Sequence, residues 1–202
     1  KNGIREWVDA TFNNQLDNMG KKGSYVTLGP QWAQVSSTPL PYFKSMLSNG
    51  GIHVPAIIRY PSQIKAGQVQ SEMIHVMDFV PTVLELTHAK RPTSFNGQPL
   101  LHMEGRSFLP VFQAKHLPER ALGWEFNTRR ALYKGDWAAQ RQAPPYGTGQ
   151  WELYNRKVDP SYLHNVAAQH PDKTQELSQE WQQYAQRVGV VEAPVRYKYG
   201  QM

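Results

Sequence analysis

Cysteine is absent from the 202 residues. That excludes a disulfide framework, a thiolate zinc site, an iron–sulfur cluster and a cysteine nucleophile within this chain. It leaves the redox compartment open, because oxidising and reducing locations both tolerate cysteine-free proteins. Long apolar runs are missing too. No stretch approaches the ~20 residues that a bilayer crossing needs, so no membrane span is expected. The opening residues, Lys1 to Ala10, contain Arg5, Glu6 and Asp9, which leaves no apolar signal-peptide core there. With no initiating Met, the true N-terminus is expected upstream. Charged residues make up only 19%, and the formal excess of +6 is scattered. The tightest basic groups are Lys21-Lys22 and Arg129-Arg130, too small for a phosphate-backbone footprint, so nucleic acid is not an expected partner. Aromatic side chains, by contrast, are plentiful: 7 Phe, 6 Trp and 10 Tyr, within a hydrophobic fraction of 40%. A disordered tail does not carry that load, and the length suffices to bury a real core.

The two halves read differently. From Gly29 to about His88 the pattern is that of an α/β unit. Val54-Pro55-Ala56-Ile57-Ile58-Arg59-Tyr60, closed by Pro61, predicts a short buried strand with Pro55 at its start. Asp78 is a candidate N-cap for a helix through Leu86, with Pro81 in the first turn and Phe79, Val83 and Leu86 on one apolar face. Lys90 to Pro118 reads as irregular apart from a short helix at Ser107 to Gln113. Beyond it, Ala121–Phe126, Arg129–Lys134, Trp137–Gln142 and Trp151–Tyr154 have aromatic, period-two character. Turns at Asn127-Thr128 and Gly135-Asp136 separate the first three. Such tight spacing predicts an antiparallel meander, because parallel neighbours need longer crossovers. A last helix is expected from Pro171, with Leu177, Trp181, Tyr184 and Val188 on one stripe covering the sheet and Gly189 ending it. Val190 to Met202 reads as a loose tail. The fold class is therefore α/β with an appended antiparallel part, and the expected domains are residues 1–118 and 119–202.

Most catalytic constellations are absent. There is no His-Glu-x-x-His, no Gly-x-Ser-x-Gly elbow, no phosphate-cradling Gly-Lys-Ser/Thr loop and no EF-hand. His75 and Asp78, three apart, have a structural reading in preference to metal ligation. Ser37-Thr38-Pro39 lacks an Arg two residues after the proline and reads as a turn. One segment stands out: Gly29-Pro30-Gln31-Trp32-Ala33, then Phe43-Lys44, then Gly50-Gly51-Ile52-His53-Val54-Pro55-Ala56. Paired glycines before an apolar run permit positive φ or close backbone approach. Lys44 is either a solvated lysine or a compact cation presented to an oxyanion.

These residues resemble the late signature of the type I sulfatases, in the alkaline-phosphatase superfamily. The resemblance continues in order along the chain. Asp78-Phe79-Val80-Pro81-Thr82-Val83-Leu84-Glu85-Leu86 is similar to that family's D-x-x-P-T-x-L-x-L helix, and Gly105-Arg106-Ser107-Phe108-Leu109 to its G-x-S-L element. Arg129-Arg130-Ala131 and Lys134-Gly135-Asp136-Trp137 resemble its R-A-x-R-x-G-x-W-K strand pair. Trp151-Glu152-Leu153-Tyr154, Asp159-Pro160 and Asn165-Val166-Ala167 resemble its closing E-L-Y, D-P and N-L-A elements. Five modest motifs in one order make a strong signal.

The resemblance implies the C-terminal portion of an alkaline-phosphatase-like sulfatase: an α/β catalytic part, then a four-stranded antiparallel sheet packed by a C-terminal helix. It implies hydrolysis of a sulfate monoester of the aryl sulfate type, with Lys44 contacting sulfate oxygens and Trp32, His53 and His102 lining the substrate pocket. It also implies a formylglycine and Ca²⁺, both held by residues outside this chain. Asn2 receives no metal role, because Lys1 stands where the family's Asp would be. The partners implied are the sulfate ester and a missing N-terminal catalytic part, without which the chain is expected to be inactive. A periplasmic or secreted location is implied, with a cytoplasmic one left open. Two other readings stay open: a phosphonate monoester or phosphodiester hydrolase of the same superfamily, and a non-catalytic packing or oligomerisation domain.

Overall fold

In a computed structural model that describes residues 3–191, the elements follow in the order α1 (Gly3–Thr11), α2 (Gly29–Ser37), α3 (Asn49–Ile52), α4 (Phe79–Leu86), β1 (Ser94–Phe95), β2 (Gln98–Pro99), α5 (Leu109–Phe112), β3 (Ala121–Phe126), β4 (Arg129–Lys134), β5 (Trp137–Arg141), β6 (Trp151–Asn155) and α6 (Pro171–Val188). The chain divides into two compact units, residues 1–54 together with 120–202, and residues 55–119.

In the first unit, β3 to β6 pair as an antiparallel meander in sequence order. The β3–β4 turn places Asn127 and Thr128 at φ 50° and 70°, and Gly135 opens the next turn at φ 53°. Such left-handed backbone matches the twist of tightly connected strands. One sheet face is apolar. Leu132, Ala139 and Leu153 join Leu177 and Trp181 of α6 in a core that is at most 2% exposed. The Trp181 indole N–H donates to the carbonyl of Trp124 at 3.0 Å, which satisfies the ring's one polar group. The helix starts on Pro171 and ends at Gly189, φ 72°, as its sequence requires. Val188 departs from the expected stripe and is partly exposed.

The opposite face of the sheet is also buried, and it is polar. Arg129, Tyr133, Gln140, Glu152 and Tyr154 alternate with the apolar residues along β4, β5 and β6, and each is at most 8% exposed. The carboxylate of Glu152 accepts from the Thr148 N–H at 2.8 Å and from the Tyr154 hydroxyl at 3.0 Å. Burial, and then the nearby Glu152 charge, pushes the Tyr154 phenol far above its ordinary value. Tyr162 stacks on Tyr154 with ring centroids 4.8 Å apart, and burial raises its phenol to about 12.

The second unit is organised by Asp78. Its carboxylate accepts the backbone N–H of His75 at 2.7 Å and that of Arg106 at 2.9 Å. The Thr82 hydroxyl donates to the Asp78 carbonyl at 2.6 Å and accepts the Phe108 N–H at 3.0 Å. Residues 105–108 are thereby strapped onto the start of α4. Gly105 is obligatory there, because a Cβ would stand 2.0 Å from the Met77 carbonyl oxygen. Phe108 then meets Phe79 and Phe112 edge to face.

Five expectations change. Val54 to Tyr60 forms no strand among the described residues, and Ile57 is 98% exposed; a strand needs a hydrogen-bonding neighbour, and none lies beside this run. Asp78 stands at the N-terminus of α4 but caps backward and sideways, to His75 and Arg106, so no side-chain bond reaches into the helix. The face of α4 that is covered is Pro81 and Thr82, under the 105–108 strap, whereas Phe79 and Val83 are 40% and 54% exposed. Finally, the segment read as irregular holds a hairpin, β1–β2, turned by Asn96 and Gly97 at φ 47° and 76°. The helix expected at Ser107 to Gln113 is the shorter α5. The expected tail lies, beyond Val191, outside the described residues, as does Asn2.

Candidate functional site

Lys44 sits in a tight loop between α2 and α3, flanked by two non-glycine residues in left-handed backbone, Tyr42 at φ 60° and Ser45 at φ 78°. Each costs on the order of 1–2 kcal/mol, so the surrounding structure must hold them there. It does so from several sides. Gln34 of α2 donates from its amide to the Leu40 carbonyl at 3.0 Å and accepts the Tyr42 N–H at 2.7 Å. The Pro41 carbonyl accepts both the Gly50 N–H and the Ser48 hydroxyl at 2.9 Å.

Gly50 and Gly51 are what let the loop close. Neither has a positive φ, so of the two roles expected for them close approach is the operative one. A Cβ on Gly50 would lie 2.1 Å from the Tyr42 carbonyl oxygen, and one on Gly51 would lie 2.1 Å from that of Met46. Met46, Leu47 and Ser48 are buried beneath the loop, yet Lys44 itself is exposed. Its ammonium makes no hydrogen bond or ion pair with the described residues. The result is a strained, internally braced loop that presents one cation to solvent, an arrangement suited to charge stabilisation on an anion.

The other candidate residues are distributed as follows. His53 follows α3 directly, donates its N–H to the Asn49 carbonyl at 2.9 Å and is exposed. Trp32, 65% exposed, lies on α2 two residues before Gln34 and so roughly 200° around the helix from the side that grips the loop. These three residues share the first unit, whereas His102, also exposed, belongs to the second. His75 and Asp78 form a capping pair, with the His75 ring nitrogen accepting the Met77 N–H at 3.3 Å. Among the described residues, no three His, Asp or Glu side chains converge as a metal ion would require. The described residues thus offer no side-chain donor set for calcium.

The loop's anchors carry no sequence signal of their own. Tyr42 and Tyr133 are indistinguishable in sequence from other aromatics, because what matters is which carbonyl each hydroxyl reaches: that of Tyr146 for Tyr42 and that of Leu47 for Tyr133.

Residues 41–126 match the family model for N-sulphoglucosamine sulphohydrolase, C-terminal. An uncharacterized sulfatase of Schizosaccharomyces pombe is 36% identical over 187 residues, which covers 91% of this chain and 34% of the relative. The arylsulfatase of Klebsiella aerogenes is 35% identical over 111 residues, covering 54% and 24%. The chain carries the C-terminal portion of the sulfatase family. Its fold agrees with that of solved structures. Ps i-CgsB in complex with k-i-k-neocarrahexaose superposes with a TM-score of 0.61 at 22% identity, over 74% of this chain and 32% of that one. A Bacteroides thetaiotaomicron protein solved in work on the metabolism of multiple glycosaminoglycans gives 0.59 at 21%, over 71% and 31%. The sulfatase chain thus spans about a third, or less, of the length of the curated relatives it matches. Lys44, His53 and His102 fall inside the family-model match, and Trp32 outside it.

Proposed function

We propose that this chain is the C-terminal part of an enzyme that hydrolyses sulfate monoesters of the aryl sulfate type, and that Lys44 is its contribution to the reacting group. The observation that carries this reading is the presentation of Lys44: exposed, without an internal partner, on a loop whose backbone is held in an unfavourable conformation. An ammonium carried on a backbone held in this way offsets negative charge on the oxygens of the transferring sulfuryl group as the ester bond breaks. Trp32 and His53, in the same unit as Lys44, are proposed to line the pocket that holds the rest of the ester.

A preceding part of the same protein supplies the nucleophile, a formylglycine, and the calcium ligands; this chain alone is inactive. Two features support such a partner: the chain matches only a third of its relatives' length, and the apolar run around Ile57 is exposed with its backbone unpaired in any sheet. Residues 1–118 would then complete the catalytic domain, and 119–202 form the appended subdomain. Among the described residues no helix is long and apolar enough to cross a membrane. A periplasmic or extracellular location is proposed separately and rests on the family resemblance alone.

The test compares the full-length protein with its Lys44→Ala variant on 4-nitrophenyl sulfate and on a 4-nitrophenyl phosphonate ester. Loss of about 10²-fold or more in sulfate turnover is expected, the scale of removing one electrostatic donor. Unchanged turnover removes Lys44 from the site, and preference for the phosphonate ester replaces the sulfatase reading with the phosphonate one. Measurable sulfatase activity from the chain alone contradicts the proposed division of labour.

A further inference from the structure

The Lys44 loop is fastened to the antiparallel sheet by two tyrosine hydroxyls, each reaching far along the chain. Tyr133 of β4, 2% exposed, donates to the Leu47 carbonyl at 2.9 Å. Tyr42, two residues before Lys44, donates to the Tyr146 carbonyl at 2.7 Å. The Tyr146 ring also meets both Tyr42 and Phe43 edge to face, with centroids 5.8 and 6.3 Å away.

The acceptor at Tyr146 is itself immobilised. It lies in the β5–β6 connection, where the Arg141 guanidinium donates to the Gly149 carbonyl at 2.8 Å and buried Glu152 accepts the Thr148 N–H at 2.8 Å. Gly147 lets that connection fold flat on itself, since a Cβ there would lie 2.6 Å from the Gln142 carbonyl oxygen. The polar face of the sheet thus ends in two fixed carbonyl contacts on either side of Lys44.

We propose that Tyr42 and Tyr133 are positioning residues for Lys44, and that the antiparallel subdomain acts in the reaction by holding this lysine in register with the sulfuryl oxygens. The inference rests on the reading of Lys44 as the sulfate-contacting cation. A loop with two left-handed residues around one lysine has more favourable backbone states available to it. Without the hydroxyl contacts it relaxes toward them, and an ammonium displaced by about 1 Å loses much of its effect on a transition state.

The test is a double-mutant cycle in the full-length protein, with kcat/KM for 4-nitrophenyl sulfate measured for wild type, Tyr42→Phe, Lys44→Ala and the double variant. Tyr42→Phe is expected to lower kcat/KM about ten-fold when Lys44 is present and by less than about two-fold in the Lys44→Ala background. Equal losses in both backgrounds make Tyr42 a general structural residue and overturn the proposal. No loss with Lys44 present overturns it as well. Wild-type turnover in Lys44→Ala defeats the reading of Lys44 itself, and that single arm shows it separately. The same cycle with Tyr133→Phe decides the matter by the same outcomes if Tyr42→Phe does not fold.

Discussion

Asp78 accepts the backbone N–H of Arg106 across 28 positions of chain, at 2.9 Å, from a side chain that is 1% exposed. One carboxylate oxygen serves that contact and the other serves His75, so a residue at a helix start instead organises a strap. Asp78→Ala leaves both N–H groups without this acceptor and should destabilise the folded protein by about 2–4 kcal/mol. Asp78→Asn should cost less, because its amide oxygen still serves one of them. Urea unfolding of both variants checks the order. An alanine variant as stable as wild type would show that the strap does not depend on the carboxylate.

Gly50→Ala and Gly51→Ala each drive a methyl group to 2.1 Å from a main-chain carbonyl oxygen. Backbone cannot move aside as a flexible side chain can. Each should cost about 2–4 kcal/mol in unfolding free energy. In the full-length protein each should also reduce turnover, since Lys44 stands on the displaced loop. A glycine variant with unaltered midpoint and turnover would refute the tight closure.

Gly123 of β3 faces the ring of Tyr184 on α6, where a Cβ would lie 2.3 Å from the ring. Gly123→Ala should therefore destabilise by about 1–3 kcal/mol. Truncating the partner frees the space, so the penalty of Gly123→Ala should shrink in a Tyr184→Ala background. Additive penalties would mean that the two residues do not meet.

Lys134 of β4 pairs with Glu176 and Glu180 of α6, and Lys173 pairs with Glu176. Contact with Glu180, and then Glu176, raises the Lys134 ammonium above its ordinary 10.5, while Lys173 foremost holds Glu176 below its ordinary 4.5. A depressed carboxylate contributes stability above its unfolded value and loses it as pH falls through the folded one. A raised ammonium contributes below its unfolded value and loses it as pH rises through the folded one. The network thus stabilises from roughly pH 4.5 to 10.5. These side chains are partly exposed, so the effect is small. Lys134→Met should lower the melting temperature at pH 7 and low salt by less than about 3 °C, and the difference should shrink progressively as pH falls below about 4.5. A difference that does not shrink on acidification would assign the effect to packing.

Legibility follows the range of the interactions involved. The meander can be read because its information is local: period-two aromatic runs, a two-residue Asn-Thr turn and a Gly-Asp turn settle both the strands and their order. The last helix is equally plain, from Pro171 at its start to Gly189 at its end and the stripe through Leu177 and Trp181. Lys44 is visible as a candidate through the family motifs and the Gly50-Gly51 pair. The Asn96-Gly97 turn carries the same kind of local signal, but the Pro and Gly around it mask the two short strands it joins.

What the chain alone determined, then, is the antiparallel sheet, the helix that covers it, the family resemblance and the identity of the one candidate cation. Those features rest on periodicity, on backbone preferences and on short motifs, all of which act between near neighbours. Tertiary structure decided the rest. Val54 to Tyr60 has strand composition but no strand, because pairing needs a neighbour that composition cannot supply. Asp78 turns away from its helix because Arg106, 28 positions on, offers a better-placed N–H. Tyr133, 86 positions after Leu47, fastens the Lys44 loop; a hydroxyl's partner at that separation is set by how the sheet stacks on the loop, and no local pattern encodes it.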